Sequence, residues 1–199
     1  SQNGPFCPIS PTLASVQKLR LLTGQRGGEV VKMRWADVDL DAGWWTVPAE
    51  HSKNGKPHRV PLVRDAIAII EAQRPMHENG NAKDADGEQP VHVFIGREGA
   101  LVEDRVKKAG AALSAVLGFE FRSHDLRRTV ATRLGEAGIP REDISAVLNH
   151  VQGGPSATRV YDRYSRDREK RVALETWART LQLILQGQEK TVVQFRRMS

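Results

Sequence analysis

Residues 123–139 of the chain read SHDLRRTVATRLGEAGI, and this stretch predicts a helix that begins near residue 125. On such a helix His124 and Arg127 are three residues apart and therefore lie on the same face. Either Ser123 or His124 is expected at the helix N-terminus, which favours anions. A histidine and an arginine on one face suit a bound phosphate that undergoes proton transfer. The same pair also occurs as scattered surface charge at an ordinary helix start, so it settles nothing alone.

The composition of the 199-residue chain suits a single globular domain and excludes several classes of protein. Hydrophobic residues make up 39% and charged residues 27% of the chain, close to the globular average. The sequence contains no apolar run of the ~20 residues that a spanning helix needs, and residues 1–8 do not resemble a signal peptide. Cys7 is the single cysteine, which excludes a disulfide framework and favours a reducing cytosol. The net charge of +6 is compatible with a polyanionic partner without identifying one.

Hydrophobic periodicity and turn residues predict an α+β domain that is mainly α-helical with a small three-stranded antiparallel sheet. Ser10 and Pro11 are typical of a helix start, and Gly24 is expected to end that helix. Turn-forming residues separate three short β-rich segments at 38–40, 44–47 and 59–62. Further helices are predicted at 28–34, 64–74, 101–117, 125–137, 141–148 and 167–185, and 91–95 is predicted to be extended.

One domain is predicted to span residues 11–186. We interpret residues 1–10 as a linker remnant and the polar, then basic, residues 187–199 as a loose or partner-docked tail. Residues 77–90 are polar and contain glycine, which predicts a surface loop. The last helix carries an apolar stripe that fits either its own core or a neighbouring subunit equally well. The stripe consists of Leu181, Ile184 and Leu185.

Two polar stretches in the first third of the chain have both an ordinary and a functional interpretation. In TGQRGGE, residues 23–29, Arg26 follows a cap glycine and Glu29 lies at a new helix start, where the helix dipole favours an acid. In SKNGKPHR, residues 52–59, Lys53 lies in an Asn-Gly turn that is often merely solvated. The functional alternative for Lys53 is a loop lysine that reaches a phosphate and donates a proton.

Two further motifs lie close together near the C-terminal end of the predicted domain. His150 ends the run LNH, and a glycine-rich loop separates it from TRVYDRY, which contains Tyr161 and Tyr164. These residues have an ordinary interpretation as a helix cap and two amphipathic rings. The functional interpretation is a histidine at a helix end and a tyrosine nucleophile whose phenolate is stabilised by neighbouring cations.

Together these motifs make the chain resemble the tyrosine recombinase family, the phage-integrase-like enzymes that exchange DNA strands. The resemblance extends from about Pro11 to Trp177 and rests on TGQRGGEV, SKNGKPHRVPL, SHDLRRTVATRLGEAGI, VLNH and TRVYDRY. Each motif alone is weak evidence, whereas all of them in the family's order are strong evidence. The resemblance implies the catalytic domain of a site-specific DNA recombinase. Such an enzyme cleaves and rejoins strands through a 3′-phosphotyrosine intermediate, without a metal, a cofactor or ATP.

The resemblance also implies how the phosphate is bound and how the leaving group is protonated. Arg26 and Arg127 would hold the non-bridging oxygens of the scissile phosphate, because planar guanidinium groups match them in charge and geometry. Lys53 would protonate the departing 5′ oxygen. Glu29 would orient Arg26 or His124.

The remaining implied roles belong to two histidines and a tyrosine. Tyr161 would attack phosphorus, and Tyr164 is the alternative because on a helix it shares a face with Tyr161. His124 would assist proton transfer with the nucleophile, and His150 would hydrogen-bond the phosphate. The chain departs from the family at Asn149, where most members have glycine, and in a slightly longer interval between His150 and Tyr161.

The family resemblance finally implies partners and a location, and it leaves two rivals open. Double-stranded DNA is the expected partner, bound by a homotetramer on two duplexes, with accessory DNA-bending proteins as further candidates. A bacterial or phage-encoded protein of the cytoplasm, associated with the nucleoid, is expected. A type IB topoisomerase-like strand transferase and a catalytically silent DNA-binding module are the alternatives.

Overall fold

A computed structural model describes residues 8–74, 91–97, 99–122, 124–150 and 165–188 of the chain. Its architecture is mainly helical with a small three-stranded antiparallel sheet, which confirms the predicted fold class. The helices are α1 Pro11–Thr23, α2 Gly27–Val31, α3 Arg64–Glu71, α4 Glu103–Leu117, α5 Asp125–Glu136, α6 Arg141–Val147 and α7 Asp167–Leu185. The strands are β1 Val38–Asp39, β2 Trp44–Val47, β3 His58–Pro61, β4 Ile95–Gly96 and β5 Gly99–Ala100. The predicted loop at 77–90, Cys7 and all but the first two residues of the predicted tail lie outside the described residues.

Helix α1 is the centre of the domain and has the ends that its sequence predicts. The Ser10 hydroxyl accepts a hydrogen bond from the Leu13 amide at 3.3 Å, and Pro11 occupies the first helical position. Gly24 closes the helix with a φ of 70°, and its amide donates to the Arg20 carbonyl at 2.8 Å. The fully buried Val16 faces the core, while α3, α5 and α7 pack around α1.

The three-stranded sheet has the order β1-β2-β3 and carries a long connection, residues 48–57, between β2 and β3. Its register pairs Trp44 with Pro61 and Val47 with His58. Strand β3 therefore begins one residue earlier than predicted. The paired residues Val47 and His58 flank the two ends of the connection. Alternate residues of β2 are buried, so one face of the sheet covers the core. The other face carries Trp44, with the Arg59 guanidinium 4.2 Å from the centre of its ring.

Among the described residues, one hydrophobic core joins the sheet to the helices. Its buried members include residues from α1, α2, β2, β3, α3, α5, α6 and α7, which is why the sheet and the helices form one unit. In α7 the apolar stripe divides, because Leu181 and Ile184 pack against this core whereas Leu185 is 77% exposed. No helix within the described ranges is long and apolar enough to cross a membrane.

The structure also differs from the sequence-based prediction at residues 28–34 and 91–95, and the helix predicted at 64–74 ends at Glu71. Helix α2 ends at Val31 instead of 34, because Arg34 adopts extended backbone and forms an isolated bridge with His92. A short 3-10 helix, Trp35–Asp37, follows. Residues 91–95 were predicted to be extended. Of these, residues 91–93 form the bridge and its flanking backbone hydrogen bonds, and Ile95 belongs to the small β4-β5 sheet.

Candidate active site

The C-terminal end of α6 is the point at which the predicted site residues meet. The last carbonyl groups of a helix have no partner inside the helix. Here the Val147 carbonyl accepts hydrogen bonds from Gln25 Nε2 at 2.8 Å and from His58 Nε2 at 3.1 Å. The Leu148 carbonyl accepts one from Arg127 Nη2. Side chains from three separate motifs therefore bind the turn that leads to His150.

Arg127 is held between two main-chain carbonyl groups. Its Nη1 donates to the Gly24 carbonyl at 2.8 Å, and its Nη2 donates to the Leu148 carbonyl. The side chain is 5% exposed, and this burial, followed by the positive charge of Arg26, lowers its pKa to about 10. At neutral pH the group remains a cation. Helix α5 thus presents a fixed positive charge beside the ends of α1 and α6.

Arg26 is fixed by a carboxylate three residues further along the chain. Glu29 Oε1 accepts a hydrogen bond from Arg26 Nη1 at 3.0 Å, and Glu29 Oε2 accepts one from the Arg26 amide at 3.0 Å. Glu29 is 4% exposed, whereas the Arg26 side chain keeps 21% of its surface accessible. Of the two partners predicted for Glu29, Arg26 is the one that it contacts. The guanidinium is therefore held at the start of α2 and still open to a ligand.

The two predicted histidines lie in the field of both arginines. Partial burial, then the charges of Arg127 and Arg26, lowers the pKa of His124. The same three causes, in the same order, lower the pKa of His150. Both imidazoles are consequently neutral at pH 7, and a neutral ring carries one nitrogen that accepts a proton. His124 lies at the N-terminus of α5, as predicted, while Ser123 is outside the described residues.

Lys53 is exposed on the connection between β2 and β3, and its neighbours join it to the site. Ser52 and Asn54 both hydrogen-bond the side chain of Asn149, which directly precedes His150. The structure thus brings Arg26, Arg127, His124 and His150 together and connects the Lys53 segment to them. Tyr161, Tyr164 and the glycine-rich loop lie outside the described residues, so their assignment stays a prediction.

Sequence reasoning missed two side chains that hold this site together. His58 is 7% exposed, and burial, followed by the charge of Lys170, lowers its pKa to about 4, so it is neutral when it contacts Val147. Gln25 is 1% exposed and also donates to the Thr23 carbonyl at 2.9 Å. A signal for His58 existed, since it alternates with Val60 and so belongs to the buried face of its strand. A buried histidine needs a polar partner.

This arrangement can bind an anion and move protons next to it. Two guanidinium groups provide charge and directed N–H donors for a phosphate, and the neutral imidazoles lie beside them. The residues described contain no group of three or more His, Cys, Asp or Glu side chains arranged to hold a metal ion. The two arginines and two histidines therefore suit the binding of an oxyanion such as a phosphate, with proton transfer beside it.

Comparisons with known proteins all indicate the same family. The sequence model of the "Phage integrase family" matches residues 7–168. Prophage integrase IntA of Escherichia coli K12 is 31% identical over 159 residues, which cover 80% of this chain and 36% of that protein. Tyrosine recombinase XerC of Xanthomonas campestris pv. campestris is 30% identical over 131 residues, covering 64% of this chain and 37% of that protein. The chain thus spans less than half the length of these curated relatives.

Solved structures agree on the fold. The integrase from mycobacterium phage Brujita superposes with a TM-score of 0.62 at 18% identity, covering 84% of this chain and 52% of that one. A lambda integrase fragment, solved as a dimer bound to a core site, has a TM-score of 0.50 at 25% identity and covers 78% of this chain and 54% of that one.

Proposed function

This chain belongs to the phage integrase family, the tyrosine recombinases, and from that membership we propose that it is the catalytic domain of a site-specific DNA recombinase. The observation that carries the proposal is the meeting of Arg26, Arg127, His124 and His150 around the end of α6. These four residues come from three separate parts of the sequence, at 26, 124–127 and 150, and unrelated surface charges would not be expected to meet at one point. The proposed reaction cleaves and rejoins DNA strands through a covalent protein–DNA intermediate.

In the proposed reaction the two arginines bind the scissile phosphate. Arg127 is fixed by main-chain carbonyls and Arg26 by Glu29, so both cations keep their positions before DNA arrives. These fixed donors stabilise the negative charge that develops on the non-bridging oxygens in the transition state, without having to rearrange. Losing either arginine should therefore slow cleavage far more than it weakens DNA binding.

The proposed covalent step exchanges one ester for another. The Tyr161 hydroxyl oxygen attacks phosphorus and the bond to the 5′ oxygen breaks, which leaves a 3′-phosphotyrosine and a free 5′-hydroxyl. His124, neutral before the reaction, takes part in removing the phenolic proton, and Lys53 gives a proton to the departing 5′ oxygen. His150 donates a hydrogen bond to the phosphate. A 5′-hydroxyl from another strand reverses these steps and completes the exchange, and the retained ester makes an energy source unnecessary.

Double-stranded DNA is the proposed partner, in the cytoplasm beside the nucleoid. The lambda integrase fragment bound to its core site supports this partner by likeness of fold and sequence. Exchange between two duplexes uses four strand cleavages, so a homotetramer on two duplexes is the proposed assembly, with accessory DNA-bending proteins as further partners. Each subunit then contributes one complete set of the residues described above.

The experiment that tests this function traps the covalent intermediate. A library of nicked duplexes with a randomised central sequence lets the cleaved 5′ fragment diffuse away, so a cleaving enzyme stays attached to its DNA. We expect adducts from the parent and from Tyr164→Phe, and none from Tyr161→Phe, which keeps the ring and loses only the oxygen. Mapping the adduct to Tyr164 would overturn the nucleophile assignment, and the absence of any adduct would favour a silent DNA-binding module.

A second assay separates recombination from topoisomerase activity. Two duplexes that carry the selected sequence and different labels are incubated with the protein, and joined strands of mixed label are counted. A recombinase yields mixed products, whereas a topoisomerase-like enzyme relaxes a supercoiled plasmid and yields none.

A further inference from the structure

A closed ring of three side-chain hydrogen bonds joins the Lys53 segment to the turn that carries His150. The Ser52 hydroxyl donates to Asn54 Oδ1 at 2.7 Å, and Asn54 Nδ2 donates to Asn149 Oδ1 at 2.6 Å. Asn149 Nδ2 completes the ring by donating to the Ser52 hydroxyl oxygen at 3.0 Å. Every member donates one bond and accepts one, and such chains of hydrogen bonds strengthen each other.

The backbone at Asn149 explains why this position is unusual. Its φ is 50°, in the left-handed region that glycine adopts freely and that most other residues avoid. Asparagine is among the few side chains that tolerate this conformation. Glycine would therefore adopt this backbone without steric strain, but it would remove one of the three members of the ring. The amide side chain thus has a use that the turn itself does not require.

The ring holds the residues on both sides of Lys53. Ser52 is 8% exposed, and its carbonyl accepts the Gly55 amide at 3.1 Å. Asn54 Oδ1 also accepts the Lys56 amide at 3.1 Å, so the turn is closed through the same side chain that contacts Asn149. The Lys53 side chain remains exposed between these two fixed neighbours. Its direction is consequently set by a segment whose anchor lies next to His150.

We propose that Asn149 is a positioning residue that fixes the location of Lys53 relative to His150 and to the phosphate that binds between them. The inference rests on the proposed function, because it takes Lys53 as the proton donor. Without the amide, the segment from 52 to 56 loses its two hydrogen bonds to Asn149, while its turn, the strands and the contact of His58 with Val147 remain. Lys53 then reaches the leaving oxygen in a smaller fraction of encounters, and the step that needs its proton slows.

The test compares two leaving groups in the variant Asn149→Gly. The substrate is a duplex chosen by the adduct assay, made with either oxygen or sulfur at the scissile 5′ position. A thiolate leaves without a proton, so it does not depend on Lys53. We expect Asn149→Gly to cleave the oxygen substrate about 10- to 100-fold more slowly than the parent, a part of what a positioned acid contributes. With the sulfur substrate its rate should match the parent.

Lys53→Ala is the reference for this comparison. It should show a larger defect with oxygen and the same rescue by sulfur, and adding Asn149→Gly to it should cause no further loss. If Lys53→Ala is rescued by sulfur but Asn149→Gly slows both substrates equally, the positioning role is wrong and the proposed function stands. If Lys53→Ala itself is not rescued, the proton-donor assignment is wrong and the inference is overturned with it.

Two more variants separate positioning from general stability. Ser52→Ala breaks the ring from the other side and should reproduce the sulfur-rescued defect. Asp39→Ala is the matched control, because Asp39 Oδ1 accepts the Ala42 amide at 2.9 Å in the β1-β2 turn of the same sheet, and it should leave both rates unchanged. Amide hydrogen exchange at 52–56 should accelerate in Asn149→Gly. Unchanged exchange there would overturn the inference.

Discussion

Replacing Gly24 by alanine tests whether the end of α1 sets the position of Arg127. Gly24 has a φ of 70°, and its carbonyl accepts a hydrogen bond from Arg127. A Cβ atom at this position would lie 2.8 Å from Leu148 Cδ2 and 3.2 Å from Val130 Cγ1. Leu148 supplies the other carbonyl that holds Arg127, so the added methyl group pushes on both of its supports.

The chain offers a matched control in Gly118, which closes α4 with a φ of 73°. Within the described part of the chain, a Cβ at Gly118 meets no atom within 4 Å. In both variants, holding alanine in the left-handed conformation destabilises the folded state by about 1–2 kcal/mol. Gly24→Ala adds the cost of forcing a methyl group into a filled space, about 1–3 kcal/mol. We therefore expect it to lower the free energy of unfolding by about 2–5 kcal/mol, and Gly118→Ala by about 1–2 kcal/mol.

Urea unfolding followed by tryptophan fluorescence measures both variants, since Trp45 and Trp177 are buried in the core. Adduct formation by the folded protein is measured beside it. Gly24→Ala should form adducts at least about tenfold more slowly than the parent, because Arg127 loses its geometry, and Gly118→Ala should match the parent. Equal stability losses in the two variants, or an unchanged cleavage rate in Gly24→Ala, would refute the reasoning.

Three further outcomes are expected. Burial lowers the pKa of His58 from 6.5 in the unfolded chain to about 4 in the folded protein. As the pH falls, the unfolded chain therefore takes up this proton at a higher pH than the folded protein does. The free energy of unfolding should be highest above pH 6.5 and should fall by about 3 kcal/mol as the pH drops to 4. Urea unfolding across this range should show a smaller loss in His58→Gln, and an identical loss would contradict the assignment. A lysine side chain has no planar fork with which to bind both carbonyl groups that hold Arg127. Arg127→Lys should therefore lower the rate of adduct formation about 100-fold or more, with little effect on DNA affinity in gel shifts. DNA binding by this chain alone should be weak, little dependent on sequence and steeply reduced by salt, and nanomolar selective binding at physiological salt would contradict that view.

The elements that the sequence predicted well are those with local signals. The start and end of α1 are determined by Ser10, Pro11 and Gly24, which act on their own neighbours in the chain. The strand at 44–47 and the helix at 167–185 follow from alternation and from helical periodicity. The bridge between Arg34 and His92 was missed because it joins segments far apart in the sequence, and no local pattern records such a pairing.

The candidate site divides in the same way. Arg26, His124, Arg127 and His150 were found because their spacing matches a family pattern, and the structure brings them together. Gln25 and His58 were missed because their partner is a main-chain carbonyl, which is common to all residues and leaves no mark in a motif. The link through Asn149 was visible only as a departure from the family, and its meaning needed the left-handed backbone and the ring.

The acceptors at the end of α6 have a consequence for how this site tolerates mutation. The groups that gather Gln25, His58 and Arg127 are the carbonyl oxygens of Val147 and Leu148, and no substitution at those two positions deletes a carbonyl. A mutational scan should therefore be asymmetric, with apolar exchanges of similar volume accepted at the acceptors and few exchanges accepted at the donors. In directed evolution of this domain, the two acceptor positions can therefore be varied more freely than the three donor positions. A library that varies the donors would lose most of its active members.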